Sequence, residues 1–162
     1  MKRKDLWWIL AYPIYQLVGT FRHEASHALV AWLQGARITE FVFWPTQGYW
    51  GYVNWEGAVT ISVSAAPYLC DLLTFLLFFP ICLLCGFGKK RWVWLNMIAL
   101  GIISPLVNSA HNYRVGFSSL NDVGKLLEAI SPALVHGYFI LTLVAYFTGL
   151  VLVFTTSRMA RT

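Results

Sequence analysis

Residues 6 to 33 read LWWILAYPIYQLVGTFRHEASHALVAWL, an apolar run that carries Arg22, His23, Glu24 and His27 within six positions. The run is long enough to cross a bilayer as a helix, even if Pro13 separates an interfacial turn from its main part. Gly35 then supplies a C-terminal stop. Ionisable groups at membrane depth cost several kcal/mol unless they are paired or functional. The run therefore predicts a spanning helix together with groups elsewhere in the chain that compensate its polar cluster.

The rest of the 162-residue chain has the same character. It is 58% hydrophobic and 12% charged, against about half and about a quarter in soluble domains. Three further apolar runs predict spans at about 58–85, 92–109 and 132–156, beside the first at 6–33. Ser131-Pro132 opens the last of them. The expected architecture is an all-α polytopic membrane protein of about four transmembrane helices, a single membrane-embedded domain over residues 1–162. Two shorter elements interrupt it. Residues 37 to 57 change to β-branched and aromatic side chains around Pro45, Gln47 and Gly48, predicting a β-hairpin with strands near 38–44 and 49–55. Leu120, Val123, Leu127 and Ile130 have helical spacing and predict a short amphipathic helix before the last span.

The net charge of +5 does not point to nucleic acid, because the cations stand in short clusters beside apolar runs: Lys2, Arg3 and Lys4; Lys89, Lys90 and Arg91; Arg158 and Arg161. The termini and the turn at 86–91 hold eight of the twelve Lys and Arg residues, which places both termini in the cytoplasm. No small-residue cleavage site follows the basic start, so the first run reads as an uncleaved anchor. Cys70, Cys82 and Cys85 lie in one apolar run. Cys82-x-x-Cys85 has no second such pair, and an odd count gives no disulfide framework.

His23 and His27 are four residues apart, so they share one helical face and both imidazoles can reach one metal ion. Glu24, one position along, can approach a water that the metal activates and accept its proton during attack on an amide carbonyl. The competing interpretation is a coincidental polar patch in a helix bundle, with the histidines bonded to backbone or to neighbouring helices. A di-iron centre of the desaturase kind needs many histidines, and the chain has four in all, His111 and His136 being the others. A catalytic zinc wants three protein ligands and an open position. The candidates for the third are Asp122, Asp71 and His111. Asp71 is a lone acid in the second span, suited to bonding between helices; Ser119-x-x-Asp122 also fits a helix-capping box.

The run His23-Glu24-Ala25-Ser26-His27-Ala28-Leu29 closing at Gly35, the hairpin-like segment, the Ala65-Ala66-Pro67 step, Asn108 and Leu120-Asn121-Asp122 together resemble the site-2-protease family of intramembrane zinc metallopeptidases, in particular its small members. The resemblance spans most of the chain, with Val123 standing where the family has a glycine after the aspartate. It implies a zinc-dependent intramembrane endopeptidase acting on membrane-spanning protein substrates, with one zinc bound by His23, His27 and Asp122. It also implies Glu24 as general base and Asn108 as oxyanion holder. Rival expectations are a catalytically inactive zinc-binding assembly or adaptor protein of the same fold, against which Glu24 argues, and a transporter, for which no repeated half is present. Trp44, Tyr49, Trp50, Tyr52 and Trp55 suit a membrane-interface belt, and the hairpin edge could receive an extended substrate as an added strand. Partners are thus a substrate and the lipid bilayer, with no nucleic acid; pairing with further copies of the chain is left open.

Overall fold

The computed structural model describes residues 11–46, 50–85, 91–117 and 121–159. Several expectations lie outside the described residues. These are the basic start at Lys2, Arg3 and Lys4, the first span's opening at 6–10, Gln47, Gly48 and Tyr49, the turn at 86–90, Ser119 and Leu120, and Arg161; the same holds for the side chains of Cys85 and Arg158.

The elements are α1 (Tyr12–Leu33), β1 (Arg37–Val42), β2 (Tyr52–Glu56), α2 (Ser62–Cys85), α3 (Arg91–Val115), α4 (Asp122–Ala129) and α5 (Pro132–Met159). Pro13 sits in the first turn of α1, where its missing N–H costs nothing. Gly35 takes φ +86° just past the other end, the left-handed stop that a Cβ would strain. Pro67 and Pro80 are carried inside α2 without ending it.

Among the described residues, three helical stretches are long and apolar enough to cross a membrane: Ser62–Leu84, Arg91–Val115 and Pro132–Thr156. Their outward faces expose Leu73, Leu77, Leu84, Leu134 and Leu141, an apolar surface that soluble monomers rarely present. By the same measure α1 does not qualify, because its polar cluster lowers its hydropathy. The stretch Arg91–Val115 runs six residues past the expected 109. Asn108, Ser109, His111 and Asn112 dilute its apolar pattern, yet the backbone ladder continues through them to Val115.

The hairpin pairs antiparallel, Arg37 with Glu56 through Val42 with Tyr52, with a register shift between Ile38 and Glu40. Its strands are shorter than expected, 37–42 and 52–56 rather than 38–44 and 49–55. It lies on α1, where Phe21 meets Phe41 and Phe43 edge-on at 5.8 and 5.4 Å. Of the amphipathic helix, Val123 and Leu126 are buried and Leu127 and Ile130 half-buried. Leu126, which the expected spacing passes over, faces the interior because α4 packs on two elements, α2 and α5.

Three apolar clusters set the relative positions. Phe75, Trp94, Ile98, Ile102 and Tyr146 join α2, α3 and α5. Tyr68, Val123, Leu126, Val135 and Phe139 seat α4 on α2 and α5. Ala31, Ala36 and Val63 bind the end of α1 to the start of α2. Within α3, Ala99–Ile103 form a π turn. Gly101 in this turn presses on the Phe78 side chain so closely that a Cβ could not be placed, which fixes α3 against α2.

Candidate metal centre

His23 and His27 face the same side of α1, their ring centroids 4.9 Å apart, as their four-residue spacing dictates. Helix α4 brings Asp122, in its first turn, to meet them. His27 Nε2 lies 3.0 Å and His23 Nε2 3.7 Å from Asp122 Oδ2. The two Nε2 atoms are 3.3 Å apart. Ligands about 2.0–2.1 Å from a tetrahedral metal stand roughly 3.3 Å from one another, so this triangle has the size and the donor set for one metal ion. No other group of three such side chains converges in this way among the described residues.

The surroundings orient the donors. His27 Nδ1 lies 2.8 Å from the Val63 carbonyl; an Nδ1–H donated there leaves Nε2 with its lone pair toward the centre. Asn108 Nδ2 lies 3.2 Å from His23 Nδ1 and donates to Asp71 Oδ2 at 2.6 Å. Asn108 Oδ1 accepts from Asn112 Nδ2 at 3.0 Å. Asn108 therefore stands behind His23, on the ring nitrogen turned away from the triangle, a position from which it steers the imidazole. Burial opposes ionisation of Asp122, but the hydrogen bonds and charges of His23 and His27 outweigh it and hold the carboxyl well below the usual carboxylate range.

Glu24 is buried with the histidines, and His23, His27 and Asp122 are the charges that act on it. The hairpin closes over it: a Cβ at Gly51 would come 3.1 Å from Glu24 Cγ and 2.6 Å from Thr20 Cγ2. Glycine is thus what lets the strand approach the carboxylate.

The other two candidate ligands lie elsewhere. Asp71 is 1% exposed and is bound by Arg22, through Nη2 at 2.6 Å and Nε at 3.0 Å. Arg22 also donates to the Leu100 carbonyl in the π turn at 3.2 Å and to Ser104 Oγ at 3.1 Å. His111 is exposed on α3, and His136 Nδ1 contacts the Tyr113 hydroxyl at 2.9 Å. The polar cluster of α1 is thus compensated twice, Arg22 by α2 and α3 and the histidines by α4.

One neighbour had no sequence signal. Tyr68 sets its ring edge-on to His23, centroids 5.9 Å apart, and its buried hydroxyl has no hydrogen-bond partner among the described residues. A tyrosine among apolar residues of a span reads as core, and only the packing of α2 on α1 reveals it. No protein-family model, curated protein or solved structure matches the chain.

Proposed function

We propose that this chain is a zinc-dependent intramembrane endopeptidase of the site-2-protease kind, hydrolysing peptide bonds of membrane-spanning substrates. In this reading α1 is the fourth spanning helix, its ionisable groups compensated inside the bundle, and both termini are cytoplasmic. The observation that carries it is the convergence of His23 Nε2, His27 Nε2 and Asp122 Oδ2 with the buried carboxylate of Glu24 beside them. A purely structural site needs ligands but no such base.

His23, His27 and Asp122 would hold the ion, leaving a fourth position open. Zinc bound there supplies a Lewis acid that polarises an amide carbonyl and makes a water acidic near neutral pH. Glu24 accepts that water's proton as its oxygen adds to the carbonyl carbon, then returns it to the departing nitrogen as the C–N bond breaks. Val63 and Asn108 keep the imidazoles in line. An open groove of about 450 Å³ runs between β2 and α4, lined by Trp55, Val63, Ser64 and Lys125 among others, a path along which an extended segment can lie beside the hairpin.

The test is metal analysis of detergent-purified protein together with cleavage of single-span substrates by wild type and Glu24→Gln. Zinc in both proteins with cleavage only by wild type is the expected result. Zinc in both with cleavage by neither would instead favour an assembly or adaptor protein of this fold, and equal cleavage by both would remove Glu24 from the reaction.

A further inference from the structure

Hydrolysis of an amide leaves negative charge on the former carbonyl oxygen, and a donor aimed at that oxygen contributes more to rate than most other single groups. Asn108 is poorly placed for this, because its amide is taken up behind His23 by Nδ1, Asp71 and Asn112. Tyr68 has the opposite character. Its side chain is 2% exposed and its ring packs against His23 and, at 4.9 Å between centroids, Phe139. Asp122, Asp71 and Glu24 act electrostatically on its hydroxyl, yet that hydroxyl hydrogen-bonds to none of them. A buried O–H left without an acceptor costs about 1–3 kcal/mol, a cost relieved whenever an acceptor enters the site.

We infer that the Tyr68 hydroxyl is the oxyanion donor of this centre, taking as its acceptor the carbonyl oxygen of the scissile peptide bond. This rests on the endopeptidase reading above. As the water oxygen bonds to the carbonyl carbon, the C=O π pair moves onto oxygen and the water's proton passes to Glu24. Tyr68 keeps its own proton and donates a hydrogen bond to the new anion. On collapse that pair re-forms C=O, the C–N bond breaks and the amine leaves with the proton from Glu24. The phenol ring is held on both sides, so its O–H needs little reorganisation as the charge develops.

The experiment compares wild type with Tyr68→Phe, which keeps the ring in its apolar cluster. Zinc content, kcat and KM on a single-span substrate, and affinity for a short apolar phosphinic peptide are measured. The phosphinate's tetrahedral anion resembles the adduct, so its binding is read independently of turnover. Tyr68→Phe should keep zinc and KM while lowering kcat by about 10²- to 10³-fold and weakening the phosphinate at least tenfold. Equal phosphinate affinity in the two proteins, absence of binding in both included, overturns the Tyr68 assignment; so does an effect confined to zinc loss. If the phosphinate binds tightly and through Tyr68 while wild type cleaves nothing, the endopeptidase reading fails and the anion donor stands.

Discussion

Replacing Asp71 with alanine removes the acceptor at the middle of the buried network. Asp71 receives two bonds from Arg22, one from Asn108 and a longer contact from Ser109 Oγ at 3.5 Å. The side chains of Arg22 and Asp71 are 16% and 2% exposed, so water cannot replace the lost carboxylate. The guanidinium would keep only the Leu100 carbonyl and Ser104 Oγ. Breaking a buried ion pair from one side costs about 3–5 kcal/mol, because the remaining charge stays buried, whereas replacing both partners by apolar groups is often close to neutral. Asp71→Ala should therefore lose about 3–5 kcal/mol, and the double variant Arg22→Met/Asp71→Leu should recover most of it. Reversible unfolding in mixed detergent micelles, followed by tryptophan fluorescence, gives both numbers. A loss below about 1 kcal/mol for Asp71→Ala, or a double variant no better than the single, would refute the network as drawn.

Asp122→Ala and Asp122→Asn should both lose activity and weaken zinc retention, whereas Asp71→Asn and His111→Ala keep the metal; full occupancy in folded Asp122→Ala would show that the triangle is not the site. His23→Ala and His27→Ala should each lose the metal, read by mass spectrometry of the purified protein. Gly51→Ala forces a Cβ to within 2.6 Å of Thr20 Cγ2 on α1 and so should push the hairpin off α1, costing about 1–3 kcal/mol and lowering turnover more than zinc content. Proline between Gly51 and Trp55 should raise the substrate concentration needed for half-maximal cleavage without removing zinc; an unchanged profile in a folded variant would leave the hairpin only an anchoring role.

How much of this was legible in the sequence follows from the range of the contacts. His23 and His27 are set on one face by local helical geometry, with Glu24 one position along, so their spacing alone marked them as a candidate site. The three apolar helices, the hairpin and the short helix before α5 follow from hydropathy and periodicity, which are also local. The meeting of α4 with α1 is not local: nothing in the spacing of Asp122 distinguishes ligation from helix capping, and the family resemblance together with the place of this polar stretch in the expected topology singled it out. The Arg22 to Asp71 pair and the π turn that offers it the Leu100 carbonyl are set by how α1, α2 and α3 pack. Tyr68 was hidden for the same reason, and Asn108 was recognised as important but stands behind His23.

A ribosome delivers Arg22 and Asp71 49 positions apart, an interval of roughly 2–10 s at ordinary synthesis rates. Through that interval the polar cluster of α1 has no partner from α2. In the proposed topology α1 and α2 would therefore settle into the bilayer as one unit, once Asp71 has emerged to neutralise Arg22. Asp122 emerges later still. Until it does, the nascent chain carries His23, Glu24 and His27 without the third donor of the proposed centre.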